Sequence, residues 1–134
     1  MVADITVDRR TGAVRVTRAV AAVDAGLIIN PDGVINQIEG GIIQAASWTM
    51  KEQVNFNRQR ITTRSWADYP IFTFNDVPAV EVHLLNQPNE RPLGVGEGSQ
   101  GPTGAAIANA IAHATGKRLR DLPFTPDKVK AVLV

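Results

Sequence analysis

The 134-residue sequence predicts an α+β fold, in which a mixed sheet with hairpins is packed by two main helices. Apolar and polar residues alternate near the N-terminus and again around residue 80, as in half-buried strands. Apolar residues recur at helical spacing after Asn30-Pro31 and after Pro102. The composition, with 44% hydrophobic and 20% charged residues, is ordinary for a globular domain.

The strands are predicted from alternation and turn residues. Residues 2–8 and 14–23 flank a turn that contains Gly12, which predicts a β-hairpin over 2–23. A second, short hairpin is predicted from 54–56 and 60–62, and a strand over 79–86. Residues 63–79, which contain two prolines, are predicted as an irregular packed crossover.

The first helix is predicted over 31–52. Asn30 can cap the free amides, Pro31 suits the first helical position, and Asp32 favours the positive helix end. One face is predicted to pack on the sheet through Val34, Ile35, Ile38 and Ile42.

A second helix is predicted over 102–115, with Gly116 at its C-terminal cap, and a short third helix runs from about 126 to 133. The second helix carries alanine and isoleucine on almost every side, which is typical of a helix buried inside a large protein. The chain is too short to surround it, so the sequence predicts membership of a larger assembly.

Composition narrows the possible functions. The net charge of +1 does not favour nucleic acid, and no apolar run reaches the roughly 20 residues that span a bilayer. The absence of cysteine excludes disulfides, thiolate metal sites, iron–sulfur ligation and thiol nucleophiles within this chain. His83 and His113 have no acidic partners at metal-ligand spacing, so we predict structural or surface roles and no metal ligands.

The glycine-rich loop over 93–104 is the most informative stretch for function. It does not fit a dinucleotide fingerprint, a phosphate-binding loop or a nucleophile elbow, so Ser99 is predicted to be a hydrogen-bonding loop residue. Glu97 is the one carboxylate among the glycines. It either contacts backbone and solvent or acts as a general base, and the pattern alone leaves both readings open.

A stripe of small and polar residues follows the first predicted helix, at positions Gln37, Gly40, Gly41, Gln44 and Trp48. Each mid-helix glycine costs about 1 kcal/mol relative to alanine. The adjacent glycines Gly40 and Gly41 therefore indicate either close helix packing or a rigid, polar group that lies against the stripe.

Three motifs in order carry a family resemblance: Val23-Asp24-Ala25-Gly26 with Asn30-Pro31, the segment 37–44 (Gln-Ile-Glu-Gly-Gly-Ile-Ile-Gln), and Gly94-Val95-Gly96-Glu97-Gly98. With the tail over 108–123 they resemble the C-terminal portion of the molybdenum-cofactor subunit of the xanthine dehydrogenase/aldehyde oxidase family. The motifs resemble in particular those of isoquinoline 1-oxidoreductase-like and nicotinate dehydrogenase-like large subunits. The resemblance implies that residues 1–134 form one unit of a larger molybdopterin-binding domain and are a fragment of a longer subunit.

The resemblance implies a molybdenum hydroxylase that oxidises an N-heteroaromatic or aldehyde substrate with oxygen derived from water. Glu97 would be the catalytic base. Gln37 would lie against the molybdenum and pterin, with Gly40, Gly41 and Gly96 as further cofactor contacts. The alternative is a non-catalytic interaction or structural fragment that binds no cofactor on its own, and the isolated chain is expected to be inactive in either case.

The implied partners are the remainder of the molybdenum subunit, a subunit or domain with iron–sulfur clusters, and a small-molecule substrate, with a cytochrome c as a further candidate. Cytoplasmic and periplasmic locations in a bacterium both stay open. The sequence departs from many relatives at Ala25, where they carry cysteine, and at Gly98, where they often carry proline. Neither change touches the implied base.

Overall fold

A computed structural model describes residues 1–133 and confirms the α+β class, with a small mixed sheet and helices packed against it. The strands are β1 (Val2–Val7), β2 (Val14–Val23) and β3 (Ala79–Leu84). The helices are α1 (Pro31–Met50), α2 (Gln100–Thr115) and α3 (Pro126–Leu133), and a 3₁₀ turn spans Trp66–Asp68. No helix among these residues is long and apolar enough to cross a membrane.

The sheet has the order β1-β2-β3 and mixes two pairing directions. β1 and β2 form the predicted antiparallel hairpin, with a register irregularity between Asp4 and Ile5. β3 pairs with β2 in parallel, from Arg18 opposite Ala79 to Val23 opposite Leu84. A parallel pair requires a long crossover, and α1 with residues 51–78 supplies it. The predicted second hairpin is reduced to one antiparallel bridge between Phe56 and Ile61, because both side chains are exposed and bury little apolar surface to stabilise a longer ladder.

Helix α1 is capped as predicted, since Asn30 Oδ1 accepts a hydrogen bond from Gly33 N at 3.0 Å. It ends at Met50, two residues before the predicted end, because Lys51 leaves helical geometry at φ −133° and ψ −41°. Ile38 and Ile42 are buried against β2, with Val34 half-buried beside them. Ile35 is the exception to the predicted face: it is half-buried and lies outside this core cluster.

Helix α2 begins at Gln100, two residues before the predicted start. Only Thr103, Ile107 and Ile111 are buried, because residues at i and i+4 share the one face that the sheet and α1 cover. Ala105 and Ala114 are exposed, so this chain does not surround the helix, as its length predicted. The open face agrees with a chain that packs against further protein.

The crossover over 51–78 is attached to the end of α1 by polar contacts. Phe72 N donates to Ser47 Oγ at 2.8 Å, and Tyr69 OH donates to Glu52 Oε2 at 2.8 Å. Lys51 Nζ lies 2.8 Å from Asp76 Oδ2. Beyond these contacts the crossover exposes large aromatic side chains, which reach 77% exposure for Phe56, 78% for Trp66 and 99% for Phe74. Exposed apolar surface of this extent is typical of a region that contacts other protein.

Asp76→Asn is expected to lower the free energy of unfolding of the chain at pH 7 by about 1–2 kcal/mol. Burial raises the pKa of Asp76, but hydrogen bonds from Lys51 and Thr73 outweigh it and bring the pKa from 3.8 to about 2. A lowered pKa stabilises the fold above pH 3.8, and this contribution is lost as the pH falls toward 2. Urea titrations at pH 7 and pH 2 measure the difference, which should shrink at pH 2. An equal difference at both pH values would contradict the assignment.

Candidate functional site

The glycine-rich loop lies on α1, and a direct hydrogen bond joins them. Gln37 Nε2 donates to the carbonyl oxygen of Gly96 at 2.8 Å. Gln37 lies in the second turn of α1, close to the helix start that Asn30 and Pro31 fix. Two site residues predicted from separate motifs are therefore in contact, although 59 residues separate them.

Glu97 follows Gly96 directly, and its side chain is exposed. Its carbonyl oxygen accepts a hydrogen bond from Gln100 N at 3.2 Å, where the loop turns into α2. Within residues 1–133 the carboxylate makes no hydrogen bond or salt bridge with another side chain, so only the backbone holds this residue. Glu97 is therefore an exposed residue directly after the one that Gln37 holds.

The loop presents open backbone on its outer side. A Cβ atom added at Gly40 or Gly96 would meet no atom within 4 Å. The amides of residues 94–97 donate to no group in the described part of the chain. A run of free backbone N–H groups is suited to bind electronegative atoms of a ligand.

Gly41 is placed differently from Gly40. It is buried, and a Cβ at this position would overlap Ser99 Oγ. Ser99 Oγ donates to the carbonyl oxygen of Ile38 at 3.2 Å, which confirms the predicted hydrogen-bonding role of this serine. The partner in α1 could not be read from sequence, since no local pattern links Ser99 with Ile38.

A groove of about 370 Å³ opens beside Gln37 and Gly96. Its lining is uncharged and comes from the segment after β2, the first turns of α1 and the loop: Ala25, Leu27, Ile28, Ile29, Asn30, Gly33, Val34, Gln37, Pro92, Leu93, Val95 and Gly96. The sequence motifs included Ala25 and Asn30 but did not single out Leu27 or Ile28. Their apolar character alone carries no signal of a site.

A cluster of charged residues lies on the exposed face of the sheet. Arg18 bridges β1 and β3, with Nη1 at 3.5 Å from Asp4 Oδ2 and Nη2 bonded to Glu81. Hydrogen bonds from Arg18 and then His83 lower the pKa of Glu81. His83 and His113 are both exposed on the surface of the chain. No group of three or more histidine or acidic side chains within residues 1–133 could hold a metal ion.

The model of the molybdopterin cofactor-binding domain family matches residues 1–78, more than half of the chain. A nicotinate dehydrogenase subunit of Pseudomonas putida is 50% identical over 132 residues, which are 98% of this chain and 11% of that protein. The beta subunit of isoquinoline 1-oxidoreductase from Brevundimonas diminuta is 35% identical over 126 residues, which cover 94% of this chain and 16% of the relative.

Solved structures agree with the sequence relatives. The crystal structure of quinoline 2-oxidoreductase from Pseudomonas putida 86 superposes with a TM-score of 0.89 at 31% identity, over 98% of this chain and 18% of that one. The chain thus spans less than a fifth of the length of these relatives. The family match, the sequence identity and the shared fold confirm the resemblance carried by the motifs, and the chain belongs to the molybdopterin cofactor-binding domain family.

Proposed function

We propose that the chain forms part of the active site of a molybdenum hydroxylase, as one C-terminal unit of a longer subunit. Glu97 is the general base, and Gln37, Gly40 and Gly96 line the molybdopterin cofactor. Gly41, also expected as a cofactor contact, is buried under Ser99 and is not assigned to the cofactor. The observation that carries the proposal is the 2.8 Å hydrogen bond between Gln37 and Gly96. It joins two motifs of the family resemblance in one place and leaves the Glu97 carboxylate free beside them.

The residues present fit such a cofactor. The free amides of residues 94–97 can donate to its oxygen and nitrogen atoms, and the open faces of Gly40 and Gly96 allow a bulky group to approach the backbone. When bound, the cofactor supplies a two-electron redox centre. The net reaction adds a water-derived oxygen to a substrate carbon and releases two protons and two electrons. Glu97 accepts one of these protons at its carboxylate oxygen, which is the usual work of a general base.

The substrate class follows from the relatives' names. Nicotinate dehydrogenase, isoquinoline 1-oxidoreductase and quinoline 2-oxidoreductase are named for N-heteroaromatic compounds, and an aldehyde oxidoreductase of Desulfovibrio gigas shares the fold with a TM-score of 0.83 at 30% identity. An N-heteroaromatic or aldehyde substrate is therefore proposed. The chain has no cysteine to ligate an iron–sulfur cluster, so the electrons would leave through clusters in a partner subunit or domain, with a cytochrome c as a further acceptor.

The second candidate is an interaction or structural fragment that binds no cofactor on its own. It is favoured by the exposed aromatic side chains of the crossover, which indicate that the chain packs against the rest of a longer protein. The molybdenum content of the assembled complex separates the two. A complex that contains this chain and all its partners, yet no molybdenum, would support the second candidate.

Gln37→Ala is expected to weaken cofactor binding by the complete enzyme about fivefold, and so to lower its molybdenum-to-protein ratio, since it removes a hydrogen bond worth roughly 1 kcal/mol. Without this bond the loop is no longer held at Gly96. The matched control is Gln53→Ala, because Gln53 is exposed and makes no hydrogen bond with the described residues. Elemental analysis of both purified variants measures the effect. Equal molybdenum content in both variants would contradict the role of Gln37.

A further inference from the structure

We infer that Gly41 is a positioning residue. Because glycine has no side chain, Ser99 can pack against the backbone of α1 at this position and hold the glycine-rich loop on the helix. This contact between Ser99 and α1 fixes where Glu97 lies relative to Gln37. The inference rests on the proposed role of Glu97 and explains how a loop rich in glycine keeps a carboxylate in one place.

The side chain of Ser99 is in close contact with the backbone of Gly41. A Cβ atom at Gly41 would overlap Ser99 Oγ and would lie 3.7 Å from Ser99 Cβ. Ser99 is itself only 5% exposed. Its hydroxyl donates to the carbonyl oxygen of Ile38 at 3.2 Å, one turn before Gly41 on the same helix. The serine side chain therefore lies directly on the backbone of α1, where a methyl group at residue 41 has no room.

Glu97 lies between two attachments of the loop to α1. Gly96 is held by Gln37, and Ser99 is held by Ile38 over Gly41. Ser99 is also tied to α2, because its carbonyl oxygen accepts hydrogen bonds from Thr103 Oγ1 at 2.7 Å and from Thr103 N at 3.0 Å. A methyl group at residue 41 would push Ser99 off α1 and displace the loop that carries the base.

The neighbouring glycines do not share this constraint. Added Cβ atoms at Gly40, Gly94, Gly96 and Gly101 meet nothing within 4 Å, and at Gly98 the nearest atom is Ile38 Cδ1 at 3.9 Å, an ordinary contact. Gly101 is therefore a matched control. It is a helical glycine two residues from Ser99 and has no role in the proposed site.

The test compares Gly41→Ala, Ser99→Ala, the double variant and Gly101→Ala in the complete holoenzyme. Gly41→Ala should lower kcat about tenfold or more with KM and molybdenum content little changed, because a small displacement of a catalytic group has a large effect on rate. The double variant should return to the kcat of Ser99→Ala, since the nearest remaining atom, Ser99 Cβ, is at an ordinary contact distance of 3.7 Å. Gly101→Ala should match the wild type.

A second readout does not depend on turnover. Hydrogen exchange measured on a peptide over 98–106 reports the amides of Gln100 and Thr103, which donate to the carbonyl oxygens of Glu97 and Ser99. These amides should exchange faster in Gly41→Ala, and in the double variant they should return to the rate of Ser99→Ala. If Gly41→Ala does not assemble, Ser99→Ala must still show faster exchange than the wild type, since it loses the bond to Ile38.

Three results would overturn the inference: unchanged kcat in Gly41→Ala, a double variant as impaired as Gly41→Ala, or unchanged exchange in Ser99→Ala. Failure of the proposed function has a different signature. In that case Glu97→Gln would keep its turnover while the exchange pattern of the Gly41 and Ser99 variants persisted.

Discussion

Glu97→Gln in the complete enzyme is expected to lower kcat by about 10²–10⁴-fold while the molybdenum content stays unchanged. Glutamine keeps the size of the side chain but cannot accept the proton, so the loss corresponds to roughly 3–5 kcal/mol of activation free energy. The Glu97 carboxylate has no side-chain partner within residues 1–133. The substitution therefore breaks no hydrogen bond or ion pair in this chain and should leave its fold intact.

The matched control is Glu90→Gln. Glu90 is an exposed carboxylate in the same long segment between β3 and α2, and only its backbone groups make hydrogen bonds with the described residues. Steady-state kinetics and elemental analysis on both variants separate loss of the base from loss of the cofactor. Turnover of Glu97→Gln within about threefold of the control, at full molybdenum occupancy, would show that another group accepts the proton.

Local patterns predicted much of the fold. The hairpin over 2–23 follows from alternation around Gly12, and the start of α1 follows from three capping signals that agree at Asn30, Pro31 and Asp32. Such signals act over a few residues, so sequence alone carries them. The family motifs likewise indicated Gln37 and Gly96, which the fold brings into contact.

Contacts between distant segments were not predictable in the same way. Alternation in β3 shows that one face is covered, but it does not show that the strand pairs with β2 in parallel. The sequence gives no sign that the two glycines of α1 lie in different environments. Gly40 is open, whereas Gly41 is covered by Ser99, which comes from a segment far along the chain. The length of the chain predicted that α2 would not be enclosed, but an alanine-rich helix has no polar face to mark which side stays exposed.

Ile42→Ala is expected to lower the free energy of unfolding of the chain by about 2–5 kcal/mol, as large-to-small core substitutions do. Ile42 is fully buried, in one cluster with Ala19, Ala21 and Ile38. The small alanines of β2 cannot extend to fill the space, so the cavity would persist. The midpoint of urea unfolding, followed by circular dichroism, measures the change.

Ile43→Ala is the matched control, because it makes the same change in the same helix and gains the same helix propensity. Ile43 is half-buried and belongs to neither core cluster, so its truncation removes fewer contacts. The difference between the two variants isolates the packing of α1 on the sheet. This packing holds Gln37 and Gly41 beneath the loop, so in the complete enzyme Ile42→Ala should also impair turnover more than Ile43→Ala. Equal destabilisation by both variants would mean that α1 is held by contacts other than its buried face.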